Sequence, residues 1–249
     1  MIEARPILLE EADEFLQVLC EVFELDFARA RPVFFSEPFY DLKRKWALFR
    51  SGKIVSVLTT VPLRFGWGMA SGIAGVGTLL QDRGQGLGKQ LINAALDDGT
   101  PAFLFAKRTD VYEEVGFKVI DSVIRGPFRP ESEVLDQPLD FEEVQTIYSA
   151  WSELGDNRLR RDLQRWSYWK WHLRLCDRFG SGYICREPGM IREVIPGEGN
   201  WPVSSSEEFF GLKSMAESLG LPLQSHEHDM HLMALGTDRV PEMFLTDQF

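Results

Sequence analysis

The segment Arg83-Gly84-Gln85-Gly86-Leu87-Gly88-Lys89 constrains this chain more than any other. It follows residues 72–80, a run with strand character, and it opens the apolar-periodic stretch 87–96, whose spacing predicts a helix. A glycine-rich turn between a strand and a helix start suits an anion. Small residues admit close backbone approach, the first N–H groups of a helix have no intrahelical partner, and the helix dipole adds positive potential. Lys89 brings a mobile cation to the same place.

Spacing narrows the ligand. A Walker loop requires four residues between its glycines and then Gly-Lys-Ser/Thr; here Gly88-Lys89 is followed by Gln90, so no hydroxyl is present to hold magnesium. A dinucleotide fingerprint requires G-x-G-x-x-G after the first strand, and the order here is G-x-G-x-G. What remains is R-x-x-G-x-G, carried by Arg83, Gly86 and Gly88. This pattern resembles the pyrophosphate signature of the GCN5-related N-acetyltransferases (GNAT), which bind acetyl-coenzyme A. The resemblance implies that main-chain N–H groups of Gly84, Gln85, Gly86, Leu87, Gly88 and Lys89 take the pyrophosphate. It also implies that the strand before the loop, with Val76, Gly77 and Thr78, splays from its neighbour. Its N–H groups would then pair with the pantetheine arm and polarise the thioester. Gln81 and Asp82 stand where that family often has a proline.

A second segment, Tyr112-Glu113-Glu114-Val115-Gly116-Phe117, resembles the Y-x-x-x-G-F stretch of the same superfamily. The resemblance makes Tyr112 the acid that protonates the leaving thiolate. The chemistry is sound, because a phenol titrates at about 10 and a free thiol at about 8.5. Packing ahead of a helix-ending glycine is the structural alternative for Tyr112.

The rest of the chain bounds the reading. Its 249 residues have room for two domains, and 44% apolar residues provide for a core. A net charge of −11 argues against nucleic acid or anionic membrane as partners and suits a cationic small-molecule amine. Without a membrane-length apolar run or an N-terminal signal, a cytoplasmic location is expected. Cys20, Cys176 and Cys185 form no CxxC pair and read as buried thiols of a reducing compartment. His226, His228 and His231 lack a fourth ligand at a standard spacing, so no metal is expected. On a regular strand, His226 and His228 would share one face and His231 the other.

Periodicity and turn signals place strands at 2–5, 45–50, 54–63, 69–80, 102–106 and 117–124. Helices are expected at 11–23, at 26–30 (ending before Pro32), at 88–97 and at 109–115. A proline- and acid-rich linker spans 128–140. Helices at 141–153 and 159–176, strands at 181–186 and 191–195, a helix at 206–219 and a strand at 229–235 then form a shortened echo of the first half. R-x-x-G-x-G is missing from that echo. The fold class expected is α/β with a mixed sheet. It comprises two tandem acyl-CoA N-acyltransferase-like domains: 1–127 with the coenzyme site, and a degenerate 141–249.

That pairing resembles the enhanced-intracellular-survival type of acetyltransferase. The aromatic helix around Trp166, Tyr168, Trp169 and Trp171 is similar to the tryptophan-rich helix of that group's second domain. The group also carries a sterol-carrier-like domain, for which no residues are expected here. Its C-terminal carboxylate acts as base, which implies that role for Phe249. The aromatic helix suits core packing or a cage for a cationic amine, and Arg158, Arg160, Arg161 and Arg165 read as a solvated face. The function expected is acetyl-CoA-dependent N-acetyl transfer, direct and without a cysteine intermediate, to a primary amine of a small cationic acceptor. The alternative is a non-catalytic acyl-CoA sensor. Acceptor identity, acyl length and any homo-oligomer are left open by the sequence.

Overall fold

The computed structural model of the protein describes residues 2–127, 132–133, 137–172, 174–187, 189–197, 202–203, 207–221, 223 and 225–249. Its strands are β1 (Ile2–Pro6), β2 (Lys45–Arg50), β3 (Lys53–Phe65), β4 (Gly68–Thr78), β5 (Ala102–Ala106), β6 (Lys118–Pro127), β7 (Ser132–Glu133), β8 (Leu175–Phe179), β9 (Gly182–Glu187), β10 (Met190–Ile195), β11 (Pro202–Val203), β12 (Glu208–Leu212) and β13 (Glu227–Leu235). The helices are α1 (Ala12–Phe23), α2 (Phe27–Ser36), α3 (Leu87–Ala95), α4 (Asp110–Glu113), α5 (Phe141–Glu153), α6 (Leu163–Trp171) and α7 (Lys213–Ser218).

Eleven strands make one mixed sheet in the order β1-β2-β3-β4-β5-β13-β6-β12-β10-β9-β8, and β7 pairs only with β11. β1 to β4 form an antiparallel meander, followed by the parallel pair β4–β5. From the far edge, β8, β9 and β10 repeat the scheme and end in the parallel pair β10–β12. The centre is an exchange. β13, from the end of the chain, pairs with β5 and β6, and β6, from the first half, pairs with β12. One sheet therefore spans both halves. The linker expected at 128–140 lies largely outside the described residues.

Several elements begin and end where the sequence signals put them. Asp140 caps α5 reciprocally: its Oδ1 accepts from the N–H of Glu143 (2.8 Å) and its own N–H donates to Glu143 Oε2 (3.2 Å). Other elements differ. α2 runs through Pro32 rather than stopping before it, because Phe34 is buried against the ring of Phe15 and holds the last turn in place. The helix expected over 159–176 is confined to 163–171, since Leu159 N–H donates to Glu242 O and Arg160 N–H to Arg64 O, tying that segment to distant main chain. The helix expected over 206–219 is strand β12 followed by the short α7. Phe209, Phe210 and Leu212 are buried in a central strand, where both faces are covered and the apolar run loses its alternation. The start expected for that helix lies outside the described residues. Among the described residues no helix is long and apolar enough to cross a membrane.

Candidate active site

β4 and β5 pair over only three positions, Ser71↔Ala102, Gly72↔Phe103 and Ile73↔Leu104. Beyond Ile73, β4 bulges at Gly75–Val76, where two of its residues face one residue of β3. The strands part there. The opening continues into a groove of about 750 Å3 lined by Val76, Gly77 and Thr78 from β4, the loop before α3, Phe105 and Tyr112. Every expected coenzyme residue lines it except Gln85, whose Oε1 accepts from Arg50 instead (2.7 Å).

The loop is held from below and open above. Asp82 is buried and takes an ion pair from Arg50 at 2.6 Å. Arg83 Nε donates to Thr78 O (3.0 Å), tying the loop back to β4. Gly84 and Gly86 take φ of +74° and +71°, the left-handed region where a side chain is strained, and Gly86 is the residue before α3. α3 is anchored by buried Leu87, Leu91 and Ile92, each contributing roughly 1.5–3 kcal/mol. Its first turn is thereby fixed toward the groove. Lys89 Nζ donates to Glu114 O at 2.7 Å and links α3 to α4. Arg83, Lys89, Lys107 and Arg108 line the groove against two carboxylates, Asp82 and Glu114, and Asp82 is already paired. A cation-rich groove in a chain of net charge −11 favours an anionic ligand.

Tyr112 packs edge-on to Phe117, and burial pushes its phenol above the ordinary value. It also lines a second, smaller cavity of about 290 Å3 with Gly75, Phe105, Met230 and Phe249. The two residues expected to act on protons, 137 positions apart in sequence, thus meet at one cavity. Phe249 and Gln248 also border a third cavity of about 180 Å3, lined by Glu37, Phe39, Lys45 and Tyr168. Burial pushes the Lys45 ammonium down against the opposing effect of Glu37, 3.4 Å away.

The tail is not a loose end: Met243 through Asp247 are buried. The expectation of a solvated arginine face is corrected here for Arg161 and Arg165. The Arg161 side chain is fully buried between Glu193 and Asp247, each at 2.7 Å, and its guanidinium lies 3.7 Å from the centre of the Tyr148 ring. Arg165 donates to Asp247 O and Pro62 O. The Thr246 and Tyr183 hydroxyls and the Trp169 indole N–H complete the shell of Glu193. Burial works to raise the Glu193 carboxyl, but Arg161 and these hydrogen bonds outweigh it, and the net direction is down. The partners come from far along the chain, so local sequence carried no sign of them.

Trp166 and Trp169 are core residues, whereas Trp171 and Tyr168 line an open groove with Glu24, Asp26 and Glu37. His228 and His231, expected on opposite faces, have ring centres 4.2 Å apart, because a bulge between His228 and Met230 resets the alternation. Among the described residues no cluster of His, Cys, Asp or Glu could hold a metal ion. The three cysteines are buried, and none lines these cavities.

Residues 3–120 match the family described as Acetyltransferase (GNAT) domain. Over these residues the chain is similar to the GNAT acetyltransferases. Solved structures extend the likeness in fold to the whole chain. A GCN5-related N-acetyltransferase from Kribbella flavida is 15% identical with a TM-score of 0.68, over 94% of this chain and 70% of its own. One from Anabaena variabilis is 17% identical with a TM-score of 0.68, over 94% and 72%. Eis1 from Mycobacterium abscessus is 12% identical with a TM-score of 0.62, over 93% and 73%. No curated protein matches the chain in sequence.

Proposed function

We propose that the protein is an acetyl-CoA-dependent N-acetyltransferase that moves the acetyl group directly to a primary amine of a small acceptor. The observation that carries this reading is the continuous path from the cation-lined loop at 83–89, along the parted edge of β4, to Tyr112. Loop N–H groups and the α3 N-terminus suit the pyrophosphate, and the edge of β4 at Val76, Gly77 and Thr78 suits an amide-bearing pantetheine arm. The thioester carbonyl then lies by the bulge at Gly75–Val76. Attack of the amine nitrogen on that carbon forms the C–N bond, the C–S bond breaks, and Tyr112 gives its proton to the thiolate sulfur. In a chain that ends at Phe249, the terminal carboxylate accepts the proton from the amine. The acceptor enters on the side of Glu37 and Tyr168, where carboxylates and aromatic rings favour an ammonium group.

The second half, 141–249, we read as a degenerate companion that lacks the coenzyme loop, supplies β13 and the tail, and closes the acceptor side. The tandem likeness to the enhanced-intracellular-survival group supports this assignment. The test is thiol release from acetyl-CoA with a panel of diamines, aminoglycosides and amino acids. The reading expects release above hydrolysis with at least one amine and an N-acetyl product by mass spectrometry. Binding of acetyl-CoA with no release for any amine would leave the chain a coenzyme sensor.

A further inference from the structure

The wall of the cavity shared by Tyr112 and Phe249 is divided almost evenly between polar and apolar surface, the apolar part including Ile73, Leu104, Phe105 and Met230. It shares Val76, Phe105, Lys107 and Tyr112 with the large groove and so adjoins it. With phosphates at the loop and the thioester by the bulge, the acyl group is the part of an acyl-CoA that enters this cavity.

Phe249 stands at its far side, on a prepared seat. A Cβ on Gly72 would lie 2.6 Å from the Phe249 ring, so an alanine there would collide with it. The ring of Phe105 supports it at 5.3 Å between centroids. Main-chain bonds hold the residues before it: Arg165 Nη1 donates to Asp247 O (3.1 Å) and Tyr168 Oη to Gln248 O (3.3 Å). The same ring borders the cavity of Glu37 and Lys45 on its other side. It is a partition between the Tyr112 chamber of mixed lining and this second one, which is apolar over most of its wall.

We propose that the Phe249 side chain, seated on Gly72, sets the acyl-chain length the protein accepts, stopping at acetyl. The inference rests on the acyl-CoA reading above. A rigid wall rejects an added methylene by about 10- to 200-fold in a tight pocket. An open apolar chamber instead gains about fourfold per buried methylene, the equivalent of about 0.8 kcal/mol.

The test is calorimetric titration of the full chain with CoA, acetyl-CoA and butyryl-CoA, which requires no acceptor. The wild type is expected to bind acetyl-CoA at least about tenfold more tightly than butyryl-CoA. Phe249→Ala is expected to bring that ratio to unity or reverse it. Because a ratio is read, a general loss of affinity cancels. Gly72→Ala is expected to shift the ratio only while the ring is present, so that Gly72→Ala/Phe249→Ala matches Phe249→Ala. Acetyl-CoA binding with a ratio unmoved by Phe249→Ala would overturn the partition and leave the acyl-CoA reading standing. Additive effects of the two substitutions would remove the Gly72 seat and with it the proposal. Failure of CoA and both thioesters to bind the wild type would overturn both readings.

Discussion

Gly86 sits at φ +71° immediately before α3, and no side chain fills the space beside it. A substitution there therefore acts through backbone conformation, at roughly 1–2 kcal/mol, rather than through a clash. Gly86→Ala is expected to let the loop relax out of the left-handed region in the free protein, so that acetyl-CoA binding must restore it and weakens by about 5- to 30-fold. Tyr112 makes a different prediction. Burial raises its phenol, so it stays protonated as pH rises through neutrality, and wild-type turnover is expected to show no loss from this group below about pH 10. Tyr112→Phe is expected to lower turnover about 100-fold with the acetyl-CoA dissociation constant unchanged; a parallel loss of binding would make Tyr112 a packing residue. Both residues stand out in the sequence because their spacing is local, and the roles proposed for them start from that spacing. Arg50 and Arg161 were not, because each draws its meaning from carboxylates far along the chain, Asp82 for one and Glu193 with Asp247 for the other.

At the scale of elements, that buried arginine joins the segment leading into α6 to β10 and the tail. Arg161→Leu would leave Glu193 buried without its cation and Asp247 with only the longer Arg165 contact at 3.8 Å, and a loss of about 3–5 kcal/mol in urea unfolding is expected. The pH dependence has a definite sign. The folded-state pKa of Glu193 is lowered, so its contribution is present above the ordinary carboxylate range and is lost as pH falls through the lowered value. Glu193→Gln is expected to flatten the acid limb of the stability profile; an unchanged limb would assign acid unfolding to other carboxylates. Amphipathic helices such as α1 and capped ones such as α5 could be read directly from the residues. β12 could not, because a strand buried on both faces loses the alternation that distinguishes it from a buried helix.

At the scale of the molecule, the exchange of β6 and β13 makes the two halves interdependent. β13 occupies the edge of β5 that faces away from β4, and β6 is bonded to β12 and β13 rather than to β5. The fragment 1–127 is therefore expected to expose an unpaired β5 edge and to aggregate or dimerise, as checked by size-exclusion chromatography. A stable monomer would show that the exchange is dispensable. Strand order was the least legible part of the fold: sequence predicts where strands lie, and the long return of β13 is decided by tertiary pairing. The chemistry assigned to the whole depends on whether the groove beside β4 takes an acyl-CoA. The most direct test is isothermal titration of the intact protein with acetyl-CoA, alongside Arg83→Glu in the exposed loop. One molecule bound per chain at micromolar affinity, weakened at least about tenfold by the charge reversal, is the expected result. No binding by the wild type, or equal binding by the variant, would contradict the assignment.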